Sequence, residues 1–102
     1  MTESLTVYGF GSFFDGNSQP NDIDLLLLHR STDFESCQFA IDCKGQLKLA
    51  LPSADIVMLS LAEAKGLNFL ERADAVKLAC LSSDRMAADV QALVSRLLEC
   101  DA

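Results

Sequence analysis

The sequence is poor in basic residues and has no long apolar run. Eight Lys and Arg stand against fifteen Asp and Glu, which gives a formal net charge of -7 at pH 7. Charge-driven binding to nucleic acid needs clustered cations, so we expect no nucleic acid to bind by charge alone. No stretch has the length of uninterrupted apolar residues that a bilayer span needs, so we expect no membrane association.

The sequence also lacks zinc-binding and targeting patterns. The four cysteines, Cys37, Cys43, Cys80 and Cys100, form no CxxC pair, and His29 is the single histidine. These spacings match no recognisable zinc site. The N-terminus has no basic start followed by an apolar run, so we expect no signal peptide and a cytoplasmic protein with reduced thiols.

Repeats, low-complexity tracts and linkers are absent, and half of the 102 residues are hydrophobic. This length and composition predict one domain over residues 1–102 with a modest core. The elements follow in the order strand, turn, strand, helix, strand, helix, short edge strand and helix. We therefore predict an α+β fold in which helices cover a small mixed β-sheet.

Short apolar segments predict the strands of this sheet. The three main strands span residues 5–10, 22–28 and 54–59, and residues 75–79 predict a short edge strand. The few residues between the first two strands are too few for a parallel crossover, so we predict antiparallel pairing. The leucine run in the second strand predicts burial on both of its faces.

Capping patterns predict where the helices begin. Thr32 with Glu35 and Ser60 with Glu63 are typical of capping boxes. Asp84 is the predicted cap of the last helix. The helix after Ser60 is expected to run on as far as Arg72.

Two of these helices have a predicted apolar face. The first is expected to place together Phe34, Cys37, Ala40 and Ile41. The last carries a stripe that is more typical of a core than of a docking surface, and it consists of Met86, Val90, Leu93, Val94, Leu97 and Leu98.

Two carboxylates stand one residue apart at the start of the leucine-rich strand. Strand periodicity places Asp22 and Asp24 on one face, close enough to share a cation. Like charges in this arrangement repel each other. Mg²⁺ relieves the repulsion and prefers such hard oxygen ligands. A solvated strand entrance is the alternative interpretation.

A third carboxylate and a turn complete the candidate site. Asp55 interrupts the third apolar strand, and it reaches the same metal ions if that strand lies beside the second one. Otherwise Asp55 marks the solvent-exposed start of its strand. Gly11 and Ser12 follow the first strand, at a turn where backbone N–H groups can approach a phosphate. Three carboxylates and an anion-binding turn are the arrangement that two-metal phosphoryl transfer requires.

The stretch from Tyr8 to Gly16, continued by residues 20–28, resembles the signature of the DNA polymerase beta-like nucleotidyltransferase superfamily. In that family a Gly-Ser pair at a strand end is followed, after a short loop, by D-x-D at the start of a leucine-rich strand. The resemblance is to the minimal nucleotidyltransferase branch, whose members are short stand-alone domains. It covers about a fifth of the chain, and the remainder agrees in element order.

The resemblance implies a nucleotidyltransferase-like fold and a set of site residues. It implies that Gly11 and Ser12 contact a triphosphate and that Asp22, Asp24 and Asp55 bind two Mg²⁺ ions. The implied reaction moves a nucleoside monophosphate from a nucleoside triphosphate, expected to be ATP, to a hydroxyl on a protein, an RNA or a small molecule. A toxin-like protein partner, or a second copy of the chain, is compatible with this function.

Two other functions stay open. The first is a non-catalytic nucleotide- or protein-binding module on the same fold, such as an antitoxin-like partner. It is motivated by residues 13–15, which lack the arginine that many minimal relatives carry there. The second is an interaction protein that dimerises through the C-terminal stripe. His29 is a candidate general base, and its ordinary alternative is a loop-facing position at the strand end. Four cations are candidate phosphate contacts, and their ordinary alternative is a solvated surface position: Arg30, Lys44, Lys48 and Lys77.

Overall fold

The computed structural model describes residues 3–10 and 23–99, with side chains as far as residue 97. Its strands are β1 (Ser4–Phe10), β2 (Asp24–His29), β3 (Asp55–Ser60) and β4 (Val76–Ser82). Its helices are α1 (Phe34–Ala50), α2 (Leu61–Leu67), α3 (Phe69–Arg72) and α4 (Met86–Glu99). The predicted α+β fold is confirmed.

The strands of the described residues form one mixed sheet in the order β3-β2-β1-β4. β1 pairs antiparallel with β2, from Leu5 opposite His29 to Phe10 opposite Asp24, as their short separation predicts. β1 also pairs antiparallel with β4, which lies at an edge and is longer than predicted. β3 follows α1 and pairs parallel with β2, because a helix is long enough to return the chain to the start of the sheet.

One face of the sheet, called the core face below, packs against α1 and α4. Strand alternation directs every second side chain of each strand to this face. The buried cluster there is entirely apolar, and each of its members is at most 8% exposed. It contains Leu5, Val7, Ile23, Leu25, Leu27, Phe39, Ala40, Cys43, Leu47, Leu51, Ala54, Ile56, Leu81, Val90, Leu93 and Leu97.

The opposite face, called the second face below, is covered in part by α2 and α3. Leu26 and Leu28 alternate with the core-face leucines and are nonetheless buried, at 0% and 7% exposure. The ring of Phe69 packs edge-on against that of Phe10, with centroids 5.3 Å apart. The predicted burial of β2 on both of its faces is therefore confirmed.

The first helix begins one residue later than predicted. Its N-cap is Asp33, whose carboxylate accepts a hydrogen bond of 2.9 Å from the N–H of Ser36. That bond is the first cause of a pKa of Asp33 below its ordinary value. The predicted box of Thr32 with Glu35 is wrong because the neighbouring aspartate offers a charged acceptor in the capping position.

The apolar face predicted for α1 is only partly right: Ala40 is buried and Cys37 is half-buried, but the other two residues are exposed. Phe34 is 79% exposed and Ile41 is 50% exposed. The buried side of the helix is instead Ser36, Phe39, Ala40, Cys43 and Leu47. Apolar side chains occur on both sides of this helix, so periodicity alone does not identify the side that packs on the sheet.

The second capping box is confirmed at the start of α2. The Ser60 hydroxyl accepts from the N–H of Glu63, and the Glu63 carboxylate accepts from the N–H of Ser60 at 2.9 Å. The latter bond is the main cause of a lowered pKa for Glu63. A carboxyl group whose pKa is lowered by folding contributes stability above its unfolded pKa, and this contribution is lost as the pH falls through the folded value.

Replacing Ser60 with Ala is expected to lower the free energy of unfolding by about 1 kcal/mol, because the buried hydroxyl caps α2. Urea denaturation measures the difference. Ser53→Ala is a matched control, because Ser53 is exposed in a turn. Equal losses in the two variants would contradict the capping role.

The helix after Ser60 does not continue to Arg72 as predicted. Asn68 adopts the left-handed conformation, with φ 54° and ψ 36°, and its N–H donates to the carbonyls of Ala64 and Lys65. Asparagine tolerates this conformation better than most residues, so it ends α2 and separates it from α3.

The last helix starts through a short 3-10 turn, Ser83–Arg85. The cap of this turn is Ser82, whose hydroxyl accepts a hydrogen bond from the N–H of Asp84. The prediction of Asp84 as the cap is wrong, because Asp84 lies inside the turn. The described side chains of the C-terminal stripe belong to the core as expected, since Val90, Leu93 and Leu97 are buried, and the side chain of Leu98 lies outside the described residues. Among the helices of the described residues, none combines the length and hydropathy of a membrane span.

Candidate carboxylate site

The parallel pairing of β2 with β3 brings two predicted metal ligands together. Asp24 and Asp55 are direct partners in the register of the two strands, and each is the first residue of its strand. Their neighbours Leu25 and Ile56 point into the core, so both aspartates lie on the second face. Adjacent strands are about 4.8 Å apart, which places the two Cβ atoms within reach of one cation.

Both carboxylates lie at the end of the sheet where β2 and β3 begin, called the carboxylate end below. β1 finishes at the same end, because Phe10 pairs with Asp24. Ile23 lies at the same end, because its carbonyl accepts from the N–H of Asp55. Asp55 is exposed and Asp24 is half-buried, which leaves this end accessible from solvent.

A turn and one hydrogen bond hold Asp55 in register with Asp24. Pro52 follows Leu51, the C-cap of α1, and the N–H of Ala54 donates to the Leu51 carbonyl at 3.1 Å. Proline is favoured at the second position of such a turn and disfavours helix at the residue before it. The N–H of Asp55 then donates to the Ile23 carbonyl at 2.9 Å, which starts the parallel ladder.

Lys48 reinforces this turn from the last residues of α1. Its ammonium donates to the carbonyl of Pro52 at 3.0 Å and to that of Ala54 at 2.7 Å. The positive charge therefore lies next to the peptide group that precedes Asp55. Lys48 was a candidate phosphate contact, and the structure gives it a role in positioning Asp55.

Lys48→Met is expected to lower the free energy of unfolding by about 1 kcal/mol, because it removes two charge-assisted hydrogen bonds at the surface and keeps the aliphatic stem. For a domain of this size the melting temperature should fall by about 4–8 °C. Lys44→Met is the control, since it changes the same charge one turn earlier on α1. An equal shift in both variants would contradict the role of the turn.

The two aspartates carry like charges in directly paired positions. Such pairs destabilise a sheet by roughly 0.2–1 kcal/mol unless a cation lies between them. Carboxylate oxygens are the ligands that Mg²⁺ prefers. Asp24 and Asp55 therefore offer two carboxylates of the kind that a divalent cation prefers.

Three of the predicted site residues, Gly11, Ser12 and Asp22, lie outside the described residues. Within residues 3–10 and 23–99, no three His, Cys, Asp or Glu side chains are grouped closely enough to hold a metal ion. The described part of the chain thus supplies a carboxylate pair. The third ligand predicted from the sequence is Asp22, which directly precedes Ile23 in the sequence.

His29 lies away from this site. It is the last residue of β2, five residues after Asp24, and so about 16 Å along the strand. Its side chain is 6% exposed and its Nδ1 lies 2.8 Å from the Ser31 carbonyl and 3.1 Å from the Ser36 hydroxyl. His29 therefore joins the end of β2 to the start of α1, and it is too distant to act as a base at the carboxylates.

The other predicted cations have mixed positions. Arg30 contacts Glu3 at 2.8 Å and Asp33 at 3.0 Å, near the opposite end of the sheet. Lys44 is half-buried on α1, on the core-face side of the sheet. Lys77 is exposed and pairs with Tyr8 in the β1–β4 register, two positions from Phe10. Lys77 therefore lies two strands from β2, at the level of Leu26.

The described cysteines, Cys37, Cys43 and Cys80, are free thiols. Cys43 is fully buried in the core, and burial raises its pKa to about 12. A thiol of this kind stays protonated at neutral pH, so it acts as a small core residue rather than as a nucleophile or a metal ligand.

No family model, curated protein or solved structure matches this chain. The sequence motif and the geometry of the carboxylate end are therefore the features that bear on function.

Proposed function

We propose that this chain is a Mg²⁺-dependent nucleotidyltransferase, which moves a nucleoside monophosphate from a nucleoside triphosphate to an acceptor hydroxyl. The observation that carries the proposal is the register of Asp24 with Asp55. They are thirty-one residues apart in the chain, yet each begins its strand, just before an apolar run, at the same height of the sheet. Strands generally disfavour aspartate, so two aspartates in paired positions support a binding role.

The described residues on either side of the motif support the same function. Gly11, Ser12 and Asp22 fall between Phe10 and Ile23 in the sequence, and both of these residues lie at the carboxylate end. A nucleotide whose phosphates meet Asp24 and Asp55 would therefore lie beside Phe10 and Ile23. The resemblance to minimal nucleotidyltransferases assigns the triphosphate to Gly11 and Ser12.

The protein groups have simple roles in this reaction. Asp24 and Asp55, with Asp22, would hold the cations, and Lys48 keeps Asp55 in place through the turn before β3. When bound, Mg²⁺ neutralises the triphosphate and lowers the pKa of the attacking hydroxyl. Little covalent work is left to side chains, so positioning and charge are the main contributions of the chain. The net charge of -7 favours a basic protein as the acceptor that presents the hydroxyl.

Titration of the full chain with ATP, with and without Mg²⁺, tests the proposal. We expect calorimetry to detect binding in Mg²⁺ and little or none in EDTA. When ATP is labelled on the α-phosphate, we expect the label to appear on an acceptor in Mg²⁺. When ATP is labelled on the γ-phosphate, we expect no label on the acceptor. This pair of labels separates nucleotidyl transfer from phosphate transfer.

Two results would reject the enzyme. Absence of ATP binding in Mg²⁺ would leave a fold without a nucleotide site. ATP binding that is equally tight in EDTA would support the non-catalytic nucleotide-binding module, because the nucleotide would then bind without a cation held by the carboxylates.

A further inference from the structure

Helix α1 carries apolar side chains on two opposite sides. One side packs in the core through Phe39, Cys43 and Leu47. On the other side Phe34 and Leu49 are 79% and 80% exposed. A surface helix of a globular protein normally has one apolar side and one polar side. The exposed apolar residues of α1 are therefore unexplained by the fold of the single chain.

Two grooves lie in succession along this helix. The first has a volume of about 450 Å³ and lies between the N-terminal half of α1 and the residues Glu3 and Ser83. The second has a volume of about 580 Å³ and lies between the C-terminal end of α1 and α4. Phe34 lines the first groove and Leu49 lines the second. We call the two together the α1 groove.

The α1 groove has the dimensions of a helix-binding site. Phe34 and Leu49 are fifteen positions apart, which is about 22 Å along a helix, or about four turns. Val90 and Val94 add apolar atoms on the α4 side. Apolar anchors spread over several turns between two helices are what helix-in-groove recognition uses.

Charge distinguishes the two ends of the groove. The first part is lined by Glu3, Glu35 and Asp42, and Arg30 offsets the charge of Glu3 through a contact of 2.8 Å. Glu35 and Asp42 are exposed. The lining of the second part is uncharged. Among the described residues that line either part, none is Lys or Arg.

We propose that the α1 groove binds an amphipathic helix of a partner protein, with apolar side chains along one face and lysines or arginines at the end that meets Glu35 and Asp42. Charge complementarity favours this occupant over a second copy of the chain, because each copy has a net charge of -7. The groove lies against α1 and α4, across the sheet from Asp24 and Asp55. A partner held there leaves the carboxylate end open.

Synthetic helical peptides of about four turns test the groove directly. One peptide carries leucines at helical spacing along one face and lysines in one half. The other has glutamates in place of the lysines. We expect fluorescence anisotropy with the full chain at low salt to show at least about tenfold tighter binding of the lysine peptide, and added salt to reduce the difference.

Variants locate the binding on α1. Phe34→Ala and Leu49→Ala are each expected to weaken the lysine peptide about tenfold, since exposed aromatic and apolar anchors dominate such contacts. Leu67→Ala is the matched control, because Leu67 is 53% exposed on α2 and lines neither part of the groove. Glu35→Gln combined with Asp42→Asn is expected to remove the preference for lysine. All four side chains changed on α1 are exposed, and thermal melts check that the variants fold.

A second pair of carboxylates separates a local effect from net charge. Glu71→Gln with Asp74→Asn removes the same charge at exposed positions outside the groove and is expected to keep the preference. An equal loss in this control, or no binding of either peptide, would overturn the proposal. Sedimentation measures whether the chain forms a dimer. If it does and Leu49→Arg converts this dimer to a monomer, the proposal is overturned, because a second copy of the chain then fills the groove. None of these readouts depends on ATP or Mg²⁺, so the groove and the proposed reaction fail or succeed separately.

Discussion

Asp24→Asn and Asp55→Asn are each expected to lower Mg²⁺-dependent nucleotidyl transfer by at least about 100-fold. A metal ion supplies several kcal/mol of charge stabilisation in the transition state, and each 1.4 kcal/mol corresponds to a factor of ten in rate. Each amide replaces a charged ligand by a neutral one of the same size. Transfer of label from α-labelled ATP measures the loss.

Asp55→Asn, which is expected to lower activity, is expected to raise the stability of the chain when no metal is present. In EDTA, Asp55→Asn removes one of two like charges in direct register, so the free energy of unfolding should rise by roughly 0.2–1 kcal/mol. In Mg²⁺ the wild-type chain should gain stability and the variant should gain little. Melting curves with and without Mg²⁺ measure both effects.

Asp84→Asn is the control for these experiments. Asp84 lies just past the last residue of β4, and β4 ends opposite Ser4, at the end of the sheet away from Asp24. We expect this variant to keep the wild-type response to Mg²⁺. If Mg²⁺ stabilises Asp24→Asn and Asp55→Asn as much as the wild-type chain, the carboxylate pair does not bind the cation and the proposed reaction is wrong.

The second large effect concerns stability alone. Leu27→Ala is expected to lower the free energy of unfolding by about 2–5 kcal/mol, because Leu27 is 0% exposed in the middle of β2 and its truncation leaves a cavity. This loss is a large part of the total stability of a small domain. Urea denaturation at constant temperature measures it.

Leu61→Ala is the comparison for the core substitution. Leu61 is 53% exposed at the start of α2, so its truncation should cost much less than that of Leu27. Losses of similar size in the two variants would contradict the position of Leu27 in the core. Loss of binding to ATP without loss of stability in Leu27→Ala would also be unexpected, since Leu27 faces the core rather than the second face.

The strands were predictable because their signals are local. The run Leu25–Leu28 is apolar at every position, and only a strand covered on both faces accommodates it. The short separation of β1 and β2 left antiparallel pairing as the simple solution. Ser60 and Glu63 satisfied each other in the capping box as their spacing predicted. In each case, the deciding signal lies in a short stretch of the sequence.

The helices were less predictable where two local solutions compete. Asp33 displaced the cap expected at Thr32, and the left-handed Asn68 broke a helix that was expected to continue. Of the side of α1 predicted to be buried, Ala40 is buried and Cys37 is half-buried, whereas Phe34 and Ile41 are exposed. A helix with apolar residues on two sides packs the side that fits the sheet, and this choice depends on the shape of its neighbours.

The chemistry of the candidate site was readable from the residues alone: an acidic chain, a D-x-D at a strand entrance, and an isolated Asp55 in a later apolar strand. Whether Asp24 and Asp55 meet was not readable, because a parallel ladder joins residues that are far apart in the chain and any neighbouring strand offers the same backbone hydrogen bonds. Their pairing depends on how the helices pack on the sheet. Packing of α1 on the core face returns the chain beside β2, and the turn at Pro52 with the Asp55–Ile23 hydrogen bond fixes a register in which the two carboxylates are partners.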